Sequence, residues 1–428
     1  MQTRIYPNIS NRTAWNEKYH KVRHQSEALC KALKTEDYVP QAAEFVSPPK
    51  WNLAHTSWFF ETFILSPYVS GYQVFHPDFS YLFNSYYHHV GQRWIRKSRG
   101  LLSRPGIDKI MAYRSYVDKH MQKWIKNVSN TEWEKRISLL ILGLNHEQQH
   151  QELMLTDLKY TFALNPLNPV YQDISWEKAG KLPSDYKTYT KVKKGNYSIG
   201  YQGDSFCFDN EKPVHQVYLN SFEIRNGLIT NGEYLEFIES GAYHKFDLWL
   251  ADAWTWIEEH EITAPLYWKK INNKWYEFTL HGLIPIRHDA PLSHISFYEA
   301  DAFATWAGAR LPTEFEWEVF ANLHTDTAQQ NHLLNREIYQ PVQADETMKA
   351  PYQLLGTVWE WTYSAYHPYP GYRQAEGAIG EYNGKFMINQ MVLRGGSCVS
   401  PPGHIRNTYR NFFYPADRWQ FSGIRLAR

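Results

Sequence analysis

The sequence predicts an α+β protein of two domains: an N-terminal helix bundle and a C-terminal mixed domain with much irregular structure. Three observations lead there. The 428 residues exceed what one hydrophobic core usually serves. The first 165 carry apolar residues at helical spacing, whereas after about 190 short β-like runs, glycines and aromatics dominate. Between the two lies "LNPLNPVYQDISWEKAGKLPSDYKTYTK", with prolines, little periodicity and scattered charge, the texture of a surface linker. The expected division is therefore 1–165, a linker over 166–190, and 191–428.

The helices follow in order. A run over about 13–33 places charged and apolar residues at helical spacing. A second helix begins at "SPPKWNLAHTSWFFETFIL", with Ser47 as its cap and Pro48 at the first helical position. A third starts after "SRPG" near 106 and runs to about 126. A fourth opens at "TEWE", where Thr131 and Glu134 form a capping box ahead of Trp133, Ile137, Leu140, Ile141 and Leu144. Four such helices, with a long connection over about 66–105, predict a bundle. In the second half "GNYSIG", "HQVYLNSFEI" and "VLRGGSCVS" read as strands, and "SFYEADAFATWAGA" is the one clear helix.

Composition removes several classes of function. A net charge of +1 gives no global reason to expect nucleic acid or an anionic membrane as partner. No apolar stretch of about 18 residues or more exists, so no span is expected. Cys30, Cys207 and Cys398 are far apart, which argues against a disulfide framework and for a reducing, cytoplasmic setting. "MQTRIYPNISNRTAWNEKYH" has no apolar run, so no signal peptide is expected. Aromatics make up 16% of the chain, a load that suits irregular loops held by ring packing, or a site for a cation or flat ring.

The stretch "NHEQQHQE" at 145–152 contains H-E-x-x-H. His146 and His150, four apart on a helix, share a face with Cβ atoms about 5–6 Å apart, which one metal can bridge. A zinc protease would need Glu147 as base and a third ligand downstream. Glu152 points to another face, and Asp157 lies about three turns from His146. His20 and His24 are also four apart, but sit amid lysine and arginine and read as a solvated pair. A third ligand is available on the second helix, where His55 lies in "WNLAHTSWFFE". One His from one helix and a His-x-x-x-His pair from another can form a three-His facial site with three open positions. Imidazole alone does not separate zinc, iron, nickel or copper.

These residues resemble those of the sulfoxide synthases of ergothioneine biosynthesis. The likeness covers nearly the whole chain. It rests on "LAHTSWFFE", "FNSYYHHVGQRWIRKSRGLLSRP" and "NHEQQHQELMLTDLKY" in the first half, and on "ISFYEADAFATWAGARLPTEFEWE", "LLGTVWEWT", "VLRGGSCVS" and "RNTYRNFFYPADRWQFSGIRLAR" in the second. It implies a DinB-like four-helix bundle and a domain like the formylglycine-generating enzymes (C-type-lectin-like). It also implies an oxidoreductase that uses iron(II) and O2 to join a thiol to the imidazole C2 of Nα-trimethylhistidine (hercynine), leaving the sulfur as a sulfoxide.

The resemblance assigns residues as well. It implies iron held by His55, His146 and His150, and an acid or hydrogen-bond donor at Tyr86 or Tyr87. Arg93 and Arg96, with Arg99 behind them, suit the carboxylate of the thiol substrate. Asn411 would face hercynine, and Phe412, Phe413, Trp419 and Phe421 offer rings to its trimethylammonium. Relatives using γ-glutamylcysteine carry N-W-D where this chain reads Asn411-Phe412-Phe413, and a phenyl ring cannot pair with the glutamyl amine as Asp does. The departure points to free cysteine. Other departures are Cys398, alone where formylglycine-generating enzymes pair cysteines, and Thr357, where the family motif has Asn. The latter puts a calcium site in doubt. Four alternatives stand beside this reading: γ-glutamylcysteine as donor, an ovothiol-type synthase, a selenoneine-type synthase, and a non-catalytic ligand-binding protein with a structural metal.

Overall fold

The computed structural model describes residues 8–85, 87, 91–174, 181–324, 332–375 and 383–428. The chain divides into two compact units, the first essentially Met1–Leu167 and the second formed from Asn168 onward apart from two short segments.

Four long helices make up the first unit: α1 (Arg12–Ala28), α2 (Pro49–Phe60), α3 (Ile107–Asn127) and α4 (Asn130–Ala163). Two helix starts differ from expectation. Helix α2 begins at Pro49, because a residue before proline is driven out of the helical region, and Pro48 is accordingly extended at ψ 145°. Ser47 is then no cap. Its N–H donates to Asp157 Oδ2 at 2.8 Å, and its hydroxyl accepts from Arg99. Helix α4 is capped by Ser129, which accepts from the Glu132 N–H, and not by Thr131 with Glu134. The chain leaves α3 through an extended Val128 and turns at once, so Ser129 is the first side chain able to cap the new helix.

Helix α2 continues through a π-helical segment, Glu61–Leu65. There Glu61 accepts from Tyr72 and Tyr113 hydroxyls and from the Phe75 N–H. Gly143 sets the approach of α4 to α2: a Cβ at that position would lie 2.5 Å from a ring carbon of Phe60 and 2.9 Å from one of Phe59. Between the helices lies a buried ionic network. Glu147 accepts from Arg23 at 2.9 Å, Arg114 at 3.0 Å and Ser26 at 2.7 Å, and Arg23 also reaches Asp118 at 2.7 Å.

The second unit is built on short strands. Strand β1 (Tyr189–Val192) pairs antiparallel with β4 (Phe222–Arg225), and β2 (Gly195–Ile199) with β3 (His215–Leu219). Strands β5 (Trp268–Ile271), β6 (Lys274–Thr279) and β7 (Gly282–Pro285) form an antiparallel meander. The sheet of order β10-β9-β8-β11 combines Asn411–Phe413, Met391–Arg394, Trp359–Ala365 and Ser422–Gly423. Helices α5 (Asn231–Glu239), α6 (Ala251–Glu259), α7 (Phe297–Trp306) and α8 (Glu314–Leu323) stand among them. Only α7 was expected. The capping boxes Thr230 with Glu233 and Thr313 with Glu316 mark α5 and α8, each about ten residues long.

Buried charge pairs hold this irregular unit together. Glu360 of β8 takes two hydrogen bonds from Arg425, each 2.8 Å, and a third from the Trp317 indole at 2.6 Å. Glu314 binds Arg394 and Arg410. Trp359, Glu360, Trp361 and Arg394 are thus structural here, at most 2% exposed.

Candidate metal centre

Helix α2 carries His55, and α4 carries His146 and His150 one turn apart. The close contact at Gly143 lets the two helices present these rings to one another. The His146 Nε2 lies 3.1 Å from His55 Nε2 and 3.2 Å from His150 Nε2, and one ligand atom from each of the three falls within 4.8 Å of the others. Two nitrogens held at about 2.1 Å from one ion lie about 3.0 Å apart at a right angle and about 3.4 Å apart at a tetrahedral angle. Both separations from His146 fall in that interval.

Tautomers support the same use. The Nδ1 of His55 sits 2.6 Å from the Phe83 carbonyl, which can only accept, so Nδ1 carries the proton and Nε2 the lone pair. The Nδ1 of His150 donates to Asn52 Oδ1 at 2.8 Å, while the Asn52 amide nitrogen is directed at the Ser47 carbonyl. The lone pairs of His55 and His150 are thus both turned toward the His146 Nε2, the arrangement a shared cation requires. Burial holds all three imidazoles neutral: it pushes His146 down to about 4, and His55 and His150 well below their ordinary range. The residues present therefore fit a divalent metal held by three neutral nitrogens.

The position of Glu147 excludes the zinc-protease reading. It turns away from the triad into the ionic network. Burial alone would raise its pKa, but the guanidiniums of Arg23 and Arg114 hold the carboxyl at about 2. A carboxylate held ionised by two guanidiniums is a poor base for activating a water. Asp157 is committed to the Ser47 N–H, and the His24 side chain is 72% exposed.

The remaining predicted residues fall as follows. Tyr87 is buried against Trp58, Phe59 and Phe63, at ring separations of 5.6, 6.3 and 5.0 Å. Tyr86 lies outside the described residues. Arg93 donates to the Ser85 carbonyl at 2.8 Å and Arg96 to the Phe45 carbonyl at 2.6 Å. Both line a cavity of about 390 Å³ with Glu44, Ser85, Trp94 and Arg99. Arg99 is a strut: its guanidinium lies 3.2 Å from the Trp51 ring centroid and binds the hydroxyls of Ser47 and Ser85. In the second unit the Asn411 side chain accepts from the Phe412 N–H. Phe412 stacks on Tyr366 at 4.2 Å and Phe386 at 5.8 Å, and Phe413 meets Trp419 edge-on at 5.2 Å. Phe421 is fully buried against His294. Cys398 is buried.

Sequence reasoning missed Asn52 and the Phe83 carbonyl, which orient two of the three rings. Asn52 lies three residues before His55, one helical turn away, and that spacing was the available signal.

Residues 176–428 match the sulfatase-modifying factor enzyme 1-like domain, and residues 18–154 match the DinB superfamily. The hercynine oxygenase of Mycolicibacterium smegmatis is 30% identical over 409 residues, 89% of this chain and 91% of that one. The chain belongs to the hercynine oxygenase family. The family's member from Mycobacterium tuberculosis is 31% identical, over 66% of this chain and 70% of that one. The formylglycine-generating enzyme of Streptomyces coelicolor is 25% identical over 53% of this chain and 83% of that one. Membership of the hercynine oxygenase family makes the chain an oxygen-using oxidoreductase of the ergothioneine type. Among the described residues no helix is long and apolar enough to cross a membrane.

Proposed function

We propose that the chain is an iron(II)-dependent sulfoxide synthase that joins free cysteine to the imidazole C2 of hercynine, with O2 as oxidant. The observation that carries this reading is the set of three neutral imidazoles, Nε2 to Nε2 at 3.1 and 3.2 Å, in a chain of this family. Iron(II) held by His55, His146 and His150 would supply O2 activation and a seat for the thiolate.

The protein's own groups do the rest. Phe83 and Asn52 fix two ligand rings. Tyr86 and Tyr87 are assigned as proton donors to the reacting oxygen, and the apolar cage around Tyr87 keeps bulk water from that proton. Arg93 and Arg96, each of which donates to a backbone carbonyl, are assigned to the carboxylate of the thiol substrate. Asn411, Phe412 and Phe413 are assigned to hercynine. Phe413 leaves no carboxylate for a glutamyl amine, which favours cysteine over γ-glutamylcysteine.

The test is an anaerobic, Fe(II)-loaded reaction with hercynine, started by O2, with cysteine and γ-glutamylcysteine in parallel and products read by mass spectrometry. Hercynylcysteine sulfoxide from cysteine is the expected result. Product from γ-glutamylcysteine alone would sink the argument from Phe413. Protein that binds Fe(II) and both substrates yet consumes no O2 would sink the function itself.

A further inference from the structure

The triad sits in a stack of flat groups. Arg99 lies over Trp51, the Trp51 ring is 4.5 Å from His55 at 15° between planes, and His55 is 5.4 Å from Trp58, again at 15°. Trp58 is fully buried, and its ring also meets Tyr87 and Phe63, each at 5.6 Å. Its neighbours on both sides are therefore a metal-ligand candidate and a proton-donor candidate.

The indole N–H of Trp58 has no hydrogen-bond partner among the described residues. A buried unpaired donor loses its hydrogen bonds to water and regains none, which is costly. Other indoles of this unit avoid that cost: Trp51 donates to the Leu82 carbonyl, Trp133 to Ile9 and Trp15 to Asn8. The exception besides Trp58 is Trp124, which packs on Trp133 near the start of α4. Phenylalanine at position 58 would remove the unpaired donor at the loss of part of the buried ring's packing area.

An indole only donates, so its missing partner is an acceptor. Positive charge acts on two of the three rings, Arg99 on His55 and Arg99 with Arg96 on His150, whereas Glu147 acts on His146. The nearby carboxylate, Glu147, is neutralised by Arg23 and Arg114. We propose that the Trp58 N–H is a hydrogen-bond donor to an anionic group of the small molecule bound at the His55–His146–His150 centre, the thiolate or carboxylate of the sulfur substrate. Trp58 thereby becomes a further substrate-positioning residue. This rests on the metal-centre reading above.

The test uses Zn(II)-substituted, ¹⁵N-tryptophan-labelled full chain, so that the indole N–H signals are sharp and no turnover occurs. The Trp58 signal is identified by its absence from Trp58→Phe, or by its paramagnetic shift when Co(II) replaces Zn(II) should that variant not accumulate. Cysteine is expected to move this signal downfield, while the Trp51 signal, already bonded to Leu82, moves little. Cysteamine, which lacks the carboxylate, and alanine, which lacks the thiol, identify the acceptor: a shift with cysteamine names the thiolate, and one with alanine the carboxylate. Calorimetry should show Trp58→Phe binding cysteine about tenfold more weakly, with Zn(II) affinity within twofold of wild type. Cysteine that binds without moving the signal, or binds Trp58→Phe as well as wild type, overturns the proposal and leaves the function standing. A wild-type protein that binds neither hercynine nor cysteine overturns both.

Discussion

At the level of single residues, Glu147 separates two chemistries that share one sequence motif. In H-E-x-x-H proteases the Glu faces the metal; here it closes a buried network with Arg23, Arg114 and Ser26. Removing one partner of a buried ion pair strands the other charge, at a cost of about 3–5 kcal/mol. Glu147→Gln should therefore lose stability on that scale in thermal unfolding, while the folded variant keeps its metal affinity and turnover within a few-fold. A stable Glu147→Gln that binds metal but is dead would restore Glu147 as a base. Asn52 predicts the opposite pattern. It orients His150 and bears no charge, and second-sphere partners of metal ligands are worth about 10–100-fold in affinity. Asn52→Ala should weaken Fe(II) binding by such a factor, read by competition with a chelator. Unchanged affinity would show that His150 is oriented without it. The histidines were legible because an i, i+4 pair needs only helix periodicity. The partners of Glu147 were not, since Arg23 lies 124 residues away and only the packed bundle brings it near.

At the scale of elements, the centre depends on how closely α2 and α4 approach. Gly143 lies one turn before His146, and it opposes Phe59 and Phe60, just beyond His55 on α2. Alanine is a better helix former than glycine by about 1 kcal/mol. Against that stands a methyl group placed 2.5 Å from a fully buried ring, and overpacking of this kind costs about 1–3 kcal/mol. The ring cannot swing into solvent, so the clash should win. Gly143→Ala is expected to lower stability by about 1–2 kcal/mol and to weaken metal binding at least tenfold, because the two helices carry different ligands. A variant with raised melting temperature and intact metal affinity would show that the rings yield without moving the helices. The sequence named the helices but not this contact. The double proline moves the start of α2 one residue past the expected one, and α5, α6 and α8 leave little trace in the sequence because nine or ten residues give only two to three turns of periodicity.

Over the whole molecule, the two units hold together by different means, and each should answer to its own perturbation. The bundle holds the metal centre, so metal should raise the unfolding temperature of that unit by mass action and chelation should lower it without unfolding the chain. The second unit, with short strands and much irregular backbone, relies on buried carboxylate–guanidinium pairs, and acid is the perturbation that reaches them. Burial alone would push Glu314 up, but Arg410 and Arg394 outweigh it and hold its carboxyl below the ordinary range. The unfolded chain then binds more protons in that interval, so the contribution of Glu314 is complete above the ordinary carboxylate range and is lost as pH falls through the folded pKa. Glu318 works the other way: burial pushes it up in spite of Arg394, so its ionisation weakens the fold as pH rises. Burial pushes Glu360 up as well, in spite of Arg425, so the contribution of Glu314 is read as the difference between wild type and variant. Glu314→Gln should thus cost about 3–5 kcal/mol near neutrality and flatten the acid limb of the stability profile. Calorimetry of wild type and variant between pH 7 and 4 measures both effects. A variant that loses less than about 1 kcal/mol at pH 7, or keeps the wild-type acid slope, would mean that the β8–β9 sheet and its aromatic packing carry this unit without the ion pairs.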